Sequence, residues 1–126
     1  MSTPPAVELR LPAESAYVAV LRMTTAGLAA RLDFTLDDIE DLRMAVGEAC
    51  ALVLEHADKG GSLHAAYDLS SGTIRVTISA DTASTDEPDI DNFGWQVLTA
   101  LTTDVETSHG DGRSAVSFTV RSSIVV

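Results

Sequence analysis

"TLDDIEDLRMAVGEACALVLEHA", Thr35 to Ala57, decides how the rest of the chain is arranged. Thr35 followed three residues later by Asp38 has the form of a helix-start box. The hydroxyl caps free backbone amides, and the early acids suit the positive end of the helix dipole. The spacing predicts a helix from about Leu36 to Ala57. Ile39, Leu42, Val46, Ala49 with Cys50, Val53 and Ala57 form one apolar stripe for burial, while Asp41, Glu48 and Glu55 recur every seven residues on a different face. "DKGG", Asp58 to Gly61, ends the helix.

Upstream, Val7, Leu9 and Leu11 alternate with Glu8 and Arg10, the pattern of a half-buried strand closed by Pro12; the prolines before it predict a loose start over residues 1–5. From Glu14 to about Leu32, the residues Tyr17, Val20 with Leu21, Thr24, Leu28 and Ala29 recur at helical spacing in an Ala-rich segment that Gly27 weakens. Downstream, "SLHAAYDL" and "TIRVTISA" flank "SSG" and read as an antiparallel hairpin with Ile74, Val76 and Ile78 inward. "DTASTDEPDID", Asp81 to Asp91, is polar, acidic and poor in structure formers, hence an exposed loop. A shorter helix follows, capped by Asp91 or Asn92, with Phe93, Val97, Leu98 and Leu101 on its apolar side and Trp95 at an edge. A last hairpin pairs "DVETS" with "SAVSFTVRS" across "HGDG". Neither repeat nor linker interrupts residues 1–126, so one domain is expected: an α/β sandwich with helices on one face of a mostly antiparallel mixed sheet.

Size and charge narrow the function. A chain of 126 residues buries about two-thirds of its unfolded surface around one core. No apolar run reaches the roughly 18 residues of a membrane helix. The start "MSTPPAVELRLP" lacks a signal core and the single Cys50 has no disulfide partner, so the expected location is the cytoplasm. A net charge of -11 with 8 Lys and Arg argues against direct nucleic-acid binding, which needs cations to displace counterions. It suits a basic protein partner.

The polar candidates are few. His56, His64 and His109 fall on separate elements without metal-ligand spacing, so no metal site is predicted. Cys50 lies on the buried stripe, where a thiol is inert packing, and Trp95 at a helix edge reads as core or interface. A phosphate site needs glycine-freed amides, a basic side chain, or a metal held by carboxylate and amide groups. From Val76 through Gly112 there is no Lys or Arg, and Asp81, Asp86, Glu87, Asp89, Asp91, Asp104, Glu106 and Asp111 all lie there.

Strand, two helices with "DLRMAVGEAC", hairpin, acidic loop and "FGWQVLTALTTDVE" together resemble the RsbW-type anti-sigma factors of the GHKL superfamily of ATPases and kinases, over about Ala6 to Val120. "FGWQVLTALTTDVE" is similar to the actinobacterial branch. The resemblance implies a Bergerat-like ATP-binding fold whose active members are protein-serine kinases; these bind a sigma factor and phosphorylate an anti-anti-sigma partner. Its first motif resembles E-A-x-x-N, with Glu as general base and Asn holding magnesium on ATP. Here "EACAL" places Glu48 at the base position and Leu52 at the Asn position. The motif D-x-G-x-G, whose Asp recognises adenine, is reduced to Asp81 in "DTAST", and the glycine-rich lid to Gly94 in "NFGWQ". ATP and magnesium are thus the implied cofactors, with incomplete motifs to hold them. Arg22 matches a family arginine that contacts both partners, whereas the neighbouring family acid falls at Val18.

The resulting expectation is an anti-sigma factor that sequesters an alternative sigma factor and yields it to an anti-anti-sigma protein, without efficient phosphorylation. A homodimer through the first helix and first strand accompanies it. The alternatives are an active ATP-dependent serine kinase of the same partner-switching family, with Glu48 as base, and a scaffold sharing the fold only.

Overall fold

Alternating apolar residues along the strands turn one face of a sheet inward, and the helices cover that face. The computed structural model describes residues 5–124, so the expected loose start at 1–5 lies, apart from Pro5, outside the described residues. The strands are β1 (Val7–Pro12), β2 (Ser62–Ser70), β3 (Thr73–Asp81), β4 (Thr103–Gly110) and β5 (Arg113–Arg121), in the order β1-β2-β3-β5-β4. All four pairings are antiparallel. The parallel component implied by a mixed sheet does not occur among the described residues, because two hairpins and a return crossing supply every neighbour.

At the second hairpin Asp111 and Gly112 have φ of 55° and 76°, the left-handed pair of a two-residue primed turn. His109 and Gly110, read from sequence as turn, therefore extend β4.

The helical layer consists of a 3-10 turn at Ser15–Tyr17, then α1 (Val18–Arg31), α2 (Leu36–Leu54) and α3 (Phe93–Leu101). The capping box forms as expected: Thr35 Oγ1 accepts from Asp38 N at 3.1 Å, and Asp38 Oδ2 accepts from Thr35 N at 3.3 Å. The same Oδ2 accepts Ser123 N and Ser123 Oγ, each at 2.9 Å, and so ties the end of the described chain to the start of α2. α2 stops at Leu54, short of Ala57, in a turn where Ala57 N donates to Leu54 O.

Leu42, Val46, Ala49, Cys50 and Val53 of α2 are buried in one cluster with Leu63, Tyr67, Ile74, Val76, Ile78, Val116 and Phe118 of the sheet. Ala45 and Leu52 are buried as well, because α1 and α3 flank α2.

Two helix faces differ from the sequence expectation. α1 buries Leu21, Thr25 and Ala29, and leaves Tyr17 and Val20 exposed. Apolar residues occur all round α1, so its periodicity defines no single stripe; the face it buries carries Leu21, Ala29 and a buried hydroxyl pair. Thr25 Oγ1 donates to Leu21 O at 2.7 Å and lies 2.7 Å from Tyr67 Oη; with the Thr25 proton spent, Tyr67 is the donor. Burial pushes the Tyr67 phenol above its ordinary value, against the opposing effect of Thr25. On α3, Leu98 is fully buried but Phe93 is 77% exposed.

This buried pair makes an unequal prediction. Thr25→Val strands the Tyr67 hydroxyl and costs about 1–3 kcal/mol, whereas Tyr67→Phe leaves Thr25 bonded to Leu21 and costs about 1 kcal/mol. Urea melts of both variants test the ordering, and a smaller loss for Thr25→Val contradicts it.

Candidate functional site

The position of Glu48 follows from helix geometry. It sits half-buried on the side of α2 that meets α3, and its carboxylate reaches the first turn of α3. A Cβ at Gly94 would lie 2.5 Å from Glu48 Oε2, so the approach depends on the missing side chain. Asn92 caps α3 by accepting Trp95 N at 2.8 Å, as the sequence allowed. An acid beside a helix amino end is favourable by about 0.3–1 kcal/mol at exposed sites.

Glu48, Ala51, Leu52, Leu54, Glu55, Asn92 and Gly94 line a cleft of about 500 Å³ between α2 and α3. Its polar groups are two carboxylates, one amide and the α3 backbone; among the described residues no Lys or Arg lines it. Leu52, at the position of the family's metal-holding amide, is 3% exposed and belongs to the core. An anion about 4 Å from either carboxylate meets repulsion of roughly 4 kcal/mol at an effective dielectric constant of 20.

Asp81 is not brought to this cleft. Its Oδ2 accepts Ser62 N at 2.9 Å and its Oδ1 meets Arg113 Nε at 3.4 Å. Around it, Asp58 N donates to Asp81 O at 2.8 Å, Ala83 N donates to Asp58 Oδ1 at 2.8 Å, and Thr82 Oγ1 donates to His56 O. The segment 81–83 is thereby stitched to the turn after α2. The Ser62 amide holds the Asp81 carboxyl below its ordinary value, with Arg113 adding to this and desolvation opposing it.

Arg22 lies on the other flank of α2. A side chain at Gly47 would run into Arg22 Nη2 and come within 3.0 Å of Nε, so the guanidinium rests on bare helix backbone. Among the described residues it has no ion pair and no hydrogen bond. Val18, Ala19, Arg22, Gly47, Ala51 and Leu54 border a shallow cleft of about 360 Å³ there. Burial pushes the Cys50 thiol up to about 12 despite the nearby Arg22 charge, which agrees with an inert packing role.

Gly47 and the exposed Phe93 escaped the sequence reading. Gly47 carries no side chain to signal a role, and Phe93 fitted an apolar stripe. Among the described residues no three His, Cys, Asp or Glu side chains form a metal-holding group, and no helix is long and apolar enough to cross a membrane.

Three helices over one face of a five-stranded antiparallel sheet, with an acid of the central helix facing the start of a short third helix, define a GHKL-like domain. The chain belongs to the family described as histidine kinase-like ATPase domain, whose model matches residues 11–120. The serine-protein kinase RsbW of Halalkalibacterium halodurans is 40% identical over 77 residues, covering 60% of this chain and 48% of that protein. The serine-protein kinase RsbW of Bacillus thuringiensis is 35% identical over 82 residues, covering 64% and 51%. The chain thus spans about half the length of the curated relatives it matches. Among solved structures, the RsbU and RsbW domains of Rv1364c from Mycobacterium tuberculosis superpose with a TM-score of 0.73 at 22% identity, over 95% of this chain and 33% of that one. The histidine kinase AdeS of Acinetobacter baumannii gives 0.55 at 10% identity, over 92% and 68%. Both likenesses show the fold.

Two predictions follow from the contacts at the glycines and at Asp81. Gly47→Ala and Gly94→Ala each remove a helical glycine, worth up to about 1 kcal/mol, and push aside only the end of a flexible side chain. Both variants should melt at or above the parent temperature while Arg22 or Glu48 is displaced; a marked loss would mean those side chains are held rigidly. Asp81 has a folded pKa below its ordinary 3.8, so its stabilisation is present above that pH and is lost as pH falls through the lower folded value. Asp81→Asn should flatten this part of the acid dependence in urea melts taken from neutral to acid pH.

Proposed function

We propose that this chain is an anti-sigma factor that sequesters an alternative sigma factor and is countered by an anti-anti-sigma protein, without efficient phosphorylation. The observation that carries the reading is the contrast between the two flanks of α2. Among the described residues the α3 flank has two carboxylates, a buried Leu52 and no lining cation, whereas the α1 flank presents Arg22 without an ion pair, between a shallow, mostly apolar cleft and a second cleft lined by Glu40, Arg43 and Met44.

A triphosphate held by magnesium does not fit the residues present. Leu52 supplies no ligand at the amide position, no Lys or Arg lines the cleft to meet the phosphates, and the Asp81 carboxylate is engaged by Ser62 and Arg113. Binding through a surface needs none of these groups. The RsbW kinases to which the chain is similar support a partner-switching role, and their name also keeps an active kinase, with Glu48 as base, as the second reading.

In the proposed complex Arg22 anchors the partner, because a guanidinium fork pairs with carboxylates or stacks on a ring. The charge of -11 complements the basic faces of a sigma factor and speeds encounter. The anti-anti-sigma protein competes for the same arginine. A second copy of the chain joins along β1, an edge strand of the sheet, and the exposed Tyr17 of the 3-10 turn and Val20 of α1. The setting is the cytoplasm.

Incubation with labelled ATP, magnesium and the candidate anti-anti-sigma protein should give no phosphate transfer; transfer that Glu48→Ala abolishes would establish the kinase instead. Arg22→Ala should weaken sigma-factor binding about tenfold or more while leaving the melt unchanged. Leu52→Asn buries an amide at a cost of about 1–3 kcal/mol, and calorimetry should still record no nucleotide binding. Binding restored by that single change would mean that the rest of the pocket persists.

A further inference from the structure

The surface of α2 between α1 and α3 is built from two parallel rows. Gly47, Ala51 and Leu54, spaced i, i+4, i+7, all line the cleft against α1. Glu48, Leu52 and Glu55, one residue further on at the same spacing, all line the cleft against α3. Ala51 and Leu54 line both clefts, so the two meet along them. Ala51 is exposed and Leu54 half-buried, which leaves apolar surface open along the meeting line.

Charge differs on the two sides of that line. On the α1 side Arg22 makes no ion pair among the described residues; Glu40, which lines a neighbouring cleft with it, is engaged by Arg43 at 3.0 Å. On the α3 side no Lys or Arg is among the described residues that line the cleft with Glu48 and Glu55. A wholly acidic segment, a nucleotide or an anionic lipid surface brings like charge to the two glutamates, and a wholly basic segment sets a cation against Arg22. Like charges at a contact oppose binding, whereas opposite charges fix its register. The occupant that satisfies both sides has acids along one edge, bases along the other and an apolar row between them, which a helix presents on adjacent faces.

We infer that the paired clefts over Ala51 and Leu54 dock one amphipathic helix of a partner protein: its apolar row lies on Ala51 and Leu54, carboxylates on one edge meet Arg22, and Lys or Arg side chains on the other edge meet Glu48 and Glu55. The inference deepens the proposed function by giving the chemistry of the segment that Arg22 holds, and it rests on that reading of Arg22 as a partner contact. It adds the cleft beside α3 to the same contact.

Three labelled synthetic helix-forming peptides share one leucine row and differ in their edges: glutamate on one and lysine on the other, lysine on both, or glutamate on both. Fluorescence anisotropy with the full chain at near-physiological salt ranks them. The mixed peptide should bind tightest, with each control weaker by about fivefold or more. General attraction to a chain of charge -11 favours the all-lysine peptide instead, so tightest binding by that peptide overturns the inference. Arg22→Glu should invert the order. Ala51→Arg, a change at an exposed helix position, should abolish mixed-peptide binding without lowering the melting temperature, and Met23→Ser on α1 should alter neither. The bound mixed peptide should shift amide resonances of residues 18–22, 47–55 and 92–94. Shifts confined to one flank overturn the inference, as does failure of all three peptides to bind, or a dimer of the chain that Ala51→Arg abolishes. Sigma-factor capture is a separate readout: capture that Arg22→Ala weakens and Ala51→Arg leaves intact upholds the proposed function and overturns this inference. Mixed-peptide binding without sigma-factor capture upholds the docked helix and overturns the partner named for it.

Discussion

The structure depends on how closely other groups approach α2. That helix is packed on one side by β3 and β5 and on its flanks by α1 and α3, so little of its circumference is free. Each flank closes onto a glycine: Gly47 of α2 beneath Arg22, and Gly94 of α3 against Glu48. In both places a charged group occupies the space that a Cβ would fill. Glycine inside a helix costs about 1 kcal/mol relative to alanine, and here that cost coincides with the positions of the two charges of greatest functional interest.

Those charges are then separated by chemistry as well as by distance along the helix surface. Arg22 makes no ion pair among the described residues and borders one mostly apolar cleft and one lined by Glu40, Arg43 and Met44, whereas Glu48 joins Glu55 in a cleft whose lining has no counter-charge. Asp81 has a third fate, because the starts of β2 and β5 engage its two oxygens through Ser62 and Arg113. Of the two residues at nucleotide-site positions, Glu48 lines the α2–α3 cleft and Asp81 does not.

Much of this arrangement was legible in the sequence. Strict alternation in "SLHAAYDL" and "TIRVTISA" marked β2 and β3, the Thr35–Asp38 spacing marked the start of α2, and Asn92 was a candidate cap. These features are local, and local rules govern them. Legibility failed where one element's position depends on another. The buried face of α1 includes a hydroxyl pair between Thr25 and Tyr67, 42 residues away, which no periodicity within α1 reveals. Glu48 and Asp81 were each picked out by motif, but whether their side chains share a cleft depends on the turn at residues 58–62. Phe93 was placed inward because an apolar residue at helical spacing normally is; its exposure depends on how the capped first turn of α3 meets α2.

The ridge between the two flanks adds a final constraint. Ala51 and Leu54 line both the Arg22 cleft and the Glu48 cleft, so a chain segment laid over them touches both at once. Ala51 is small and exposed. Two ligands that each cover the ridge exclude one another by volume alone, and differential occupancy then follows from their relative affinities and concentrations. Such competition needs neither phosphoryl transfer nor a change of fold. It is also reciprocal: the ligand that gains more from the acidic flank is displaced most readily as salt rises, because exposed charges are screened beyond roughly 8–10 Å at ordinary ionic strength.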